Sequence, residues 1–160
     1  MEIHQAARSL YRSGRMHDAL EAAQAACEHS PRDPDAWALL ARIARRCGLP
    51  ASAEDAFQRA AALSPQHPVP VRMSAEQFDA LVQATLATLP DGLRSRLRGM
   101  VIEEVMPSLD LVTAGLDPDA LTSLSEPNPG HLVLYRENFE NAAGGLAAVA
   151  QLLKVTLQNG

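Results

Sequence analysis

A repeat of 34 residues in the first half of the sequence constrains the fold more than any other feature. Shifting the sequence by 34 positions places Gly14 on Gly48 and the pair Ser30-Pro31 on Ser64-Pro65, and three alanines also coincide: Ala19 with Ala53, Ala22 with Ala56 and Ala26 with Ala60. Each Gly permits the turn after a first helix, each Pro ends a second helix, and the alanines let helices pack closely. Since this period is typical of helix-turn-helix solenoids, we predict four helices, at about 2–13, 17–29, 34–46 and 51–63.

The second copy of the repeat carries a recognisable set of residues, namely Trp37, Leu40, Ala41, Ala44, Gly48, Ala53, Phe57, Ala60 and Pro65. This set resembles the tetratricopeptide repeat family. The first copy departs from the pattern, with Ile3 in place of Trp37 and Ala23 in place of Phe57. The resemblance covers residues 1–68 and implies a two-repeat helical solenoid that binds protein partners. We expect Trp37 to be substantially buried beside Leu40, Phe57 and Ala60.

The first helix of each repeat lines the concave surface in this family, so its side chains are candidates for partner binding. Helical spacing places Arg8, Tyr11 and Arg12 on one face of the first helix, and Arg42, Arg45 and Arg46 on one face of the third. Guanidinium groups form two parallel hydrogen bonds to a carboxylate. These six residues therefore predict a groove for an acidic segment or the C-terminus of a protein or peptide partner. The alternative is an ordinary solvated face of the two helices.

Composition and charge exclude several other classes. The net charge of −5 argues against binding to nucleic acid or to an anionic membrane. The first residues include no apolar segment of the kind that a signal peptide needs, and no apolar run is long enough to cross a bilayer, so we expect a cytoplasmic protein. Cys27 and Cys47 are too widely spaced for a zinc site, and both fall on apolar helix stripes, so we expect core residues.

The second half of the sequence predicts a mixture of helices and strands. After a proline-containing linker at 69–73, Ser74 and Gln77 form a capping box that opens a helix. A short helix around Leu93 to Leu97 follows, then strands within 100–106 and 131–136 and a last helix at 142–158. Leu109, Leu111 and Val112 are interpreted as a short edge segment of the sheet, and 116–121 as a turn or a single helical turn.

This order of elements resembles the N-terminal part of the minimal zincin-like metallopeptidases, which are small bacterial domains. The resembling segments are 78–90, 101–105, 116–118 and 132–136, and the resemblance covers residues 73–158. It implies a small α+β domain over 74–160. In that family the last strand precedes a helix with the metal motif His-Glu-x-x-His, whereas here Asn159 and Gly160 take the places of the first His and the Glu.

The sequence as a whole predicts a mainly α protein: a tetratricopeptide solenoid at 1–68, followed by a zincin-like domain with a short sheet and no metal site. Neither a catalytic residue nor a cofactor is predicted, because Glu103 and Glu104 point to opposite faces of a strand and do not form an acid/base pair. The predicted function is that of an adaptor. The alternative is a zinc-dependent peptidase whose catalytic helix is missing from this sequence.

Overall fold

The computed structural model describes residues 2–159, and for Glu2 the backbone alone. Within this range the protein is mainly helical, with nine helices and one three-stranded sheet. The described residues fall into two compact units. The first unit extends to Val69 and also contains Ser108–Pro118; the second contains Pro70–Pro107 and the residues from Asp119 onward. Among the described helices, none has the length and apolar character that a membrane span requires.

Four helices form the greater part of the first unit: α1 (Glu2–Arg12), α2 (Met16–His29), α3 (Pro34–Arg46) and α4 (Pro50–Leu63). They confirm the helices predicted from the repeat to within one residue. The residues that begin and end these helices are those expected from the sequence. Gly14 and Gly48 take the left-handed conformation, with φ of 87° and 75°, and the Asp33 carboxylate accepts a hydrogen bond of 3.0 Å from the N–H of Asp35 at the start of α3.

Two apolar clusters hold these helices together, one for each repeat. The first joins α1, α2 and α3 through six buried residues: Ala7, Tyr11, Ala19, Ala23, Leu39 and Ile43. The second joins α3 and α4 through five: Ala41, Ala44, Ala53, Ala56 and Phe57. Trp37 packs against the second cluster but is only half-buried, so the expectation of substantial burial was too strong. Its indole N–H donates to the carbonyl of Pro31, at 2.8 Å.

The first unit also contains the five-residue helix α7 (Leu109–Thr113) from the middle of the sequence. The prediction of an edge segment at Leu109, Leu111 and Val112 was therefore wrong. The Ser108 hydroxyl caps the helix by accepting a hydrogen bond of 3.2 Å from the N–H of Leu111, and Val112 is 1% exposed. The helix packs at the α1–α2 turn, where a β-carbon added to Gly14 would lie 2.7 Å from Cγ2 of Thr113.

The second unit is built from the helices α5 (Ala75–Ala87), α6 (Asp91–Leu97), α8 (Arg136–Ala142) and α9 (Leu146–Asn159), with a small sheet. The predicted capping box is confirmed: the N–H of Gln77 donates to the Ser74 hydroxyl, and the N–H of Ser74 donates to the Gln77 side chain. Buried side chains of all four helices form the core of the unit, and the rings of Phe78 and Phe139 lie 5.7 Å apart.

The sheet contains β1 (Val101–Glu104), β2 (Thr122–Leu124) and β3 (Leu132–Tyr135) in the order β1-β3-β2. β1 runs parallel to β3, with Val101 opposite Leu132, and β2 runs antiparallel to β3, with Ser123 opposite Val133. The hydroxyls of Ser123 and Tyr135 are 2.6 Å apart and join the two neighbouring strands. Both predicted strands are confirmed in shortened form, whereas β2 was not predicted.

Several boundaries in the second unit differ from the prediction. Arg136, predicted as the end of a strand, begins α8, and the last helix begins at Leu146 after a break at Gly144-Gly145. In the predicted linker, Met73 is buried in the core of the second unit, and its N–H donates to the Glu140 carboxylate at 2.6 Å. The resemblance to zincin-like metallopeptidases stays a prediction. Of the two positions aligned with its metal motif, Asn159 ends α9 and Gly160 lies outside the described residues.

Candidate protein-binding surface

The predicted groove residues Arg8 and Arg12 lie together on one face of α1. They line an open depression of about 410 Å³ with three small or polar neighbours: Gln5, Ser9 and Ser13. Arg12 is exposed, and Arg8 is half-buried, with its guanidinium 3.1 Å from Nε2 of His4 one turn earlier. Because a guanidinium only donates, Nε2 of His4 is the acceptor, and this hydrogen bond orients the Arg8 side chain along α1.

Tyr11, predicted for the same groove, lies in the core of the first repeat. It is 3% exposed and belongs to the cluster that includes Leu39 and Ile43 of α3. Its ring therefore fixes α1 against α3 and positions the arginines on either side of it in α1. The sequence pattern placed Tyr11 on the correct helix, but spacing alone does not distinguish the edge of an apolar stripe from a polar face.

Arg42, Arg45 and Arg46 are half-buried on α3. They do not line the depression on α1, so the structure does not gather all five arginines into one concavity. The directions of α1 and α3 show how the arginines of the two helices lie relative to one another. Residues from the start of α1, the end of α2 and the start of α3 line a common cavity, so α1 and α3 run in the same direction. Arg12, Arg45 and Arg46 consequently occupy the last turns of two parallel neighbouring helices.

The other end of these helices carries acidic residues instead of arginines. The shared cavity, of about 230 Å³, is lined by His4, His29, Asp33 and Asp35 together with small and apolar residues. Asp35 also accepts from Nε2 of His67, at 2.8 Å. Acidic residues at helix starts and arginines at helix ends both complement the helix dipole, with about 0.3–1 kcal/mol for each favourable charge. The sequence pattern did not single out this acidic end, although Asp33-Pro34-Asp35 is visible as a helix start.

The two cysteines contribute no reactive thiol to this surface. Cys27 is buried, and the pKa of its thiol is raised to about 11, first by that burial and then by the nearby charge of Asp33. The thiol therefore stays protonated at neutral pH. Cys47 is half-buried, and burial raises the pKa of its thiol as well. The expectation that Cys27 is a core residue is confirmed, and Cys47 packs at the border of the first cluster.

Comparison with known proteins finds a family match for the four-helix part of the first unit. No curated protein and no solved structure matches the sequence. Residues 4–68 match the tetratricopeptide repeat family, in agreement with the four helices and the two clusters described above. Repeats of this family generally mediate protein–protein interactions, which supports an adaptor role. Residues 4–68 are thus similar to a pair of tetratricopeptide repeats.

Proposed function

We propose that the protein is a cytoplasmic adaptor whose first unit binds an acidic peptide segment or a free C-terminus on its arginine face. We define the arginine face as Arg8 and Arg12 of α1 with Arg42, Arg45 and Arg46 of α3. The observation that carries the proposal is the open depression on α1 that Arg8 and Arg12 share. Its other lining residues are Gln5, Ser9 and Ser13, so the two guanidinium groups are the charged groups that a carboxylate would meet there.

The positions of the charged side chains in residues 1–70, and not the net charge of this region, support an acidic ligand. Residues 1–70 carry eight Arg and eight Asp or Glu, so this region has no excess of positive charge. Three of the eight arginines, Arg12, Arg45 and Arg46, instead lie together at one end of the helices, and Asp33 and Asp35 lie at the other end. A separation of this kind steers a charged ligand toward one end of the repeat pair.

Charge reversal at one exposed arginine, with a matched control, tests the proposal. The probe is a dye-labelled peptide of alternating Glu and Gly with a free carboxylate, and its binding is followed by fluorescence anisotropy. Arg12→Glu should weaken binding at least tenfold, because Arg12 lies exposed in the depression. Arg32→Glu, in the exposed turn between α2 and α3, makes the same change in net charge at the opposite end and should weaken binding less than twofold.

Salt dependence provides the second measurement. Exposed charge pairs are screened over about 8–10 Å near physiological ionic strength, so affinity should fall as the salt concentration rises. Equal losses in Arg12→Glu and Arg32→Glu would contradict the proposal and favour the solvated-face interpretation. Arg42 and Arg45 are less suitable for the first test, because both are half-buried and a reversed charge there would also disturb packing.

For the second unit we propose a structural or regulatory role as a zincin-like domain without a metal site. The support is the resemblance of residues 73–158, together with the sequence Thr156-Leu157-Gln158-Asn159 at the end of α9. Asn is a poor zinc ligand, and His131 is the one histidine in the second half of the sequence. Purified protein should contain no stoichiometric zinc by elemental analysis. Zinc that resists a chelator would contradict this role and support the peptidase alternative.

A further inference from the structure

The second unit carries a positive patch on an otherwise acidic background. Its residues, 70–107 and 119–160, include six Arg or Lys and nine Asp or Glu, and three of the six lie within five residues, at Arg94, Arg96 and Arg98. Arg96 and Arg98 are exposed, and neither side chain forms a hydrogen bond or ion pair with any of the residues that the structure describes. Half of the positive charge of this region is therefore concentrated beside α6, and two of the three side chains are free to meet a ligand.

Two of these arginines border a cavity of about 280 Å³ between α5, α6 and the start of β1. Arg94 lies in α6, Arg98 is the residue that directly follows the helix, and both line the cavity. Leu86, Leu97 and Val101 supply apolar walls. Arg94 is tied to the Asp91 carboxylate and donates to the carbonyl of Ala87, at 3.4 Å, which fixes it at the rim. The cavity thus has a mixed lining, in which these apolar side chains lie beside polar groups that include one fixed and one unpaired guanidinium.

The size of the cavity limits what it can hold. Pockets for drug-sized ligands run from about 300 to 1,000 Å³, so this cavity is suited to one apolar side chain with a carboxylate beside it. A free C-terminal residue of a polypeptide has this chemistry. Its apolar group would contact Leu97 and Val101, and its carboxylate would pair with the guanidinium of Arg98.

The neighbouring strand favours a peptide over a small free acid. β1 lies at one edge of the sheet, because the strand order among the described residues is β1-β3-β2. The carbonyl of Met100 faces β3, where it accepts from the N–H of Leu132 at 2.7 Å. Main-chain groups alternate sides along a strand, so those of Val101 and Glu103 face away from β3. They can pair with the residues of a peptide that precede its last one.

From these observations we propose that the cavity bordered by Arg94 and Arg98 binds the C-terminal residue of a partner polypeptide, with an apolar side chain inside and the carboxylate at Arg98. The preceding residues of the partner extend along the outer side of β1. This site lies wholly in the second unit and does not rest on the function proposed for the arginine face.

Dye-labelled hexapeptides with neutral sequences ending in Val, Leu, Ile or Phe test the proposal by fluorescence anisotropy. At least one should saturate the protein below about 1 mM, and amidation of its C-terminus should weaken binding at least tenfold, since a carboxylate paired with Arg is lost. The acid 4-methylpentanoate, which has the leucine side chain and a carboxylate but no peptide backbone, should compete at least tenfold less well than the peptide.

Two exposed arginines of the same stretch supply a matched pair of variants. Arg98→Gln should weaken binding of the peptide acid at least tenfold, whereas Arg96→Gln, which removes the same charge outside the cavity, should change it less than twofold. In the Arg12→Glu background, in which the arginine face is weakened, Arg98→Gln should still weaken binding at least tenfold, which separates the two sites. Equal binding of acid and amide, equal losses in Arg98→Gln and Arg96→Gln, or no saturation by any of the four peptides would overturn the proposal.

Discussion

The two repeats of the first unit share a sequence pattern but complete their packing in different ways. In the second repeat, Phe57 is buried at the centre of the cluster and Trp37 packs over it. The first repeat has Ala23 at the position of Phe57, and its cluster takes Leu39 and Ile43 from α3. At its turn it also receives α7, whose Thr113, Leu109 and Val112 lie close to Gly14. By contrast, no described residue would approach within 4 Å of a β-carbon added at Gly48.

This difference shows how a repeat with a weakened pattern can still be part of a compact unit. A repeat that lacks its large aromatic residues buries less apolar area, and arrays of two repeats generally need further cover. Here the cover comes from a short helix in the middle of the sequence, which buries Val112 almost completely. The second repeat provides its own large side chains and leaves its turn open. The following predictions first alter the packing of one repeat or the other and then turn to the second unit.

The largest effect is expected from Phe57→Ala, which gives the second repeat the small residue that the first one has. Removing a buried Phe leaves a cavity and costs about 3–5 kcal/mol of unfolding free energy. Urea unfolding followed by the fluorescence of Trp37, the single tryptophan, measures this cost for the first unit. Leu49→Ala is the control, since Leu49 is 40% exposed, and it should cost much less. Equal costs would show that Phe57 does not anchor the second repeat.

A smaller effect is expected from Val112→Ala, which removes the buried anchor of α7. Burying a Val side chain contributes roughly 1.5–3 kcal/mol, so the variant should lose up to that amount. Hydrogen exchange locates the loss: amides of α1 and α2 should exchange faster, and those of α4 should change less. Faster exchange confined to α7 itself would contradict its role in covering the first repeat.

Alanine at the two repeat glycines should separate backbone strain from crowding. Gly14 and Gly48 both have positive φ, so an L-residue costs about 1–2 kcal/mol at either position. At Gly14 the new β-carbon would also lie 2.7 Å from Cγ2 of Thr113 and 3.3 Å from Cδ1 of Leu109. Gly14→Ala should therefore be the more destabilising of the two in urea unfolding. The reverse order would mean that α7 does not pack tightly at this turn.

The smallest effect concerns pH and lies in the second unit. The pKa of Glu103 is raised from 4.5 to about 7, first by burial and then by a hydrogen bond to, and the charge of, Asp79. The folded protein thus binds more protons than the unfolded polypeptide between these values, so stability should decrease as pH rises from about 4.5 to 7 and then level off. Glu103→Gln should flatten this dependence in thermal unfolding, and Glu104→Gln, at an exposed neighbour, should not.

Measured at two pH values, the Gly14 and Gly48 variants also sharpen the comparison. Glu103 and Asp79 both belong to the second unit, so the difference between the two glycine variants should be the same at pH 5 and pH 8. A difference that changes with pH would show that a group titrating between pH 5 and pH 8 influences the crowding at Gly14. Trp37 fluorescence again provides the measurement.

The sequence predicted those parts of the fold whose causes are local. Gly, Pro and Ala at fixed positions determine where α1 to α4 begin and end, and the Ser74 capping box starts α5 without help from distant residues. The errors are α7, β2 and the start of α8. A five-residue helix and a three-residue strand are too short for periodicity to reveal, and each depends on a partner far away in sequence: Gly14 for α7 and β3 for β2.

The features of the candidate surface also divide into those that helical spacing predicts and those that depend on packing between helices. Helical spacing placed the arginines on α1 and α3 correctly, but it did not show that Tyr11 is buried or that the depression on α1 excludes Arg42. Those facts depend on how α1 packs against α3. The stretch from Arg94 to Arg98 was visible as a run of charge in the sequence, yet its cavity exists only because α5 and β1 meet α6 there. The sequence alone could have indicated the positive charge of this stretch but not the cavity beside it.

A double-mutant cycle between Gly14 and Thr113 tests most directly whether α7 completes the first repeat. Thr113→Ser removes the methyl group that crowds Gly14 and keeps the hydroxyl, which donates to the carbonyl of Asp110 at 3.0 Å. Thr113→Ser should recover about 0.5–1 kcal/mol of unfolding free energy in the Gly14→Ala background, the range typical of contacting residues, and none in Gly48→Ala. Additive effects in both cycles would show that α7 does not contact the first repeat as described.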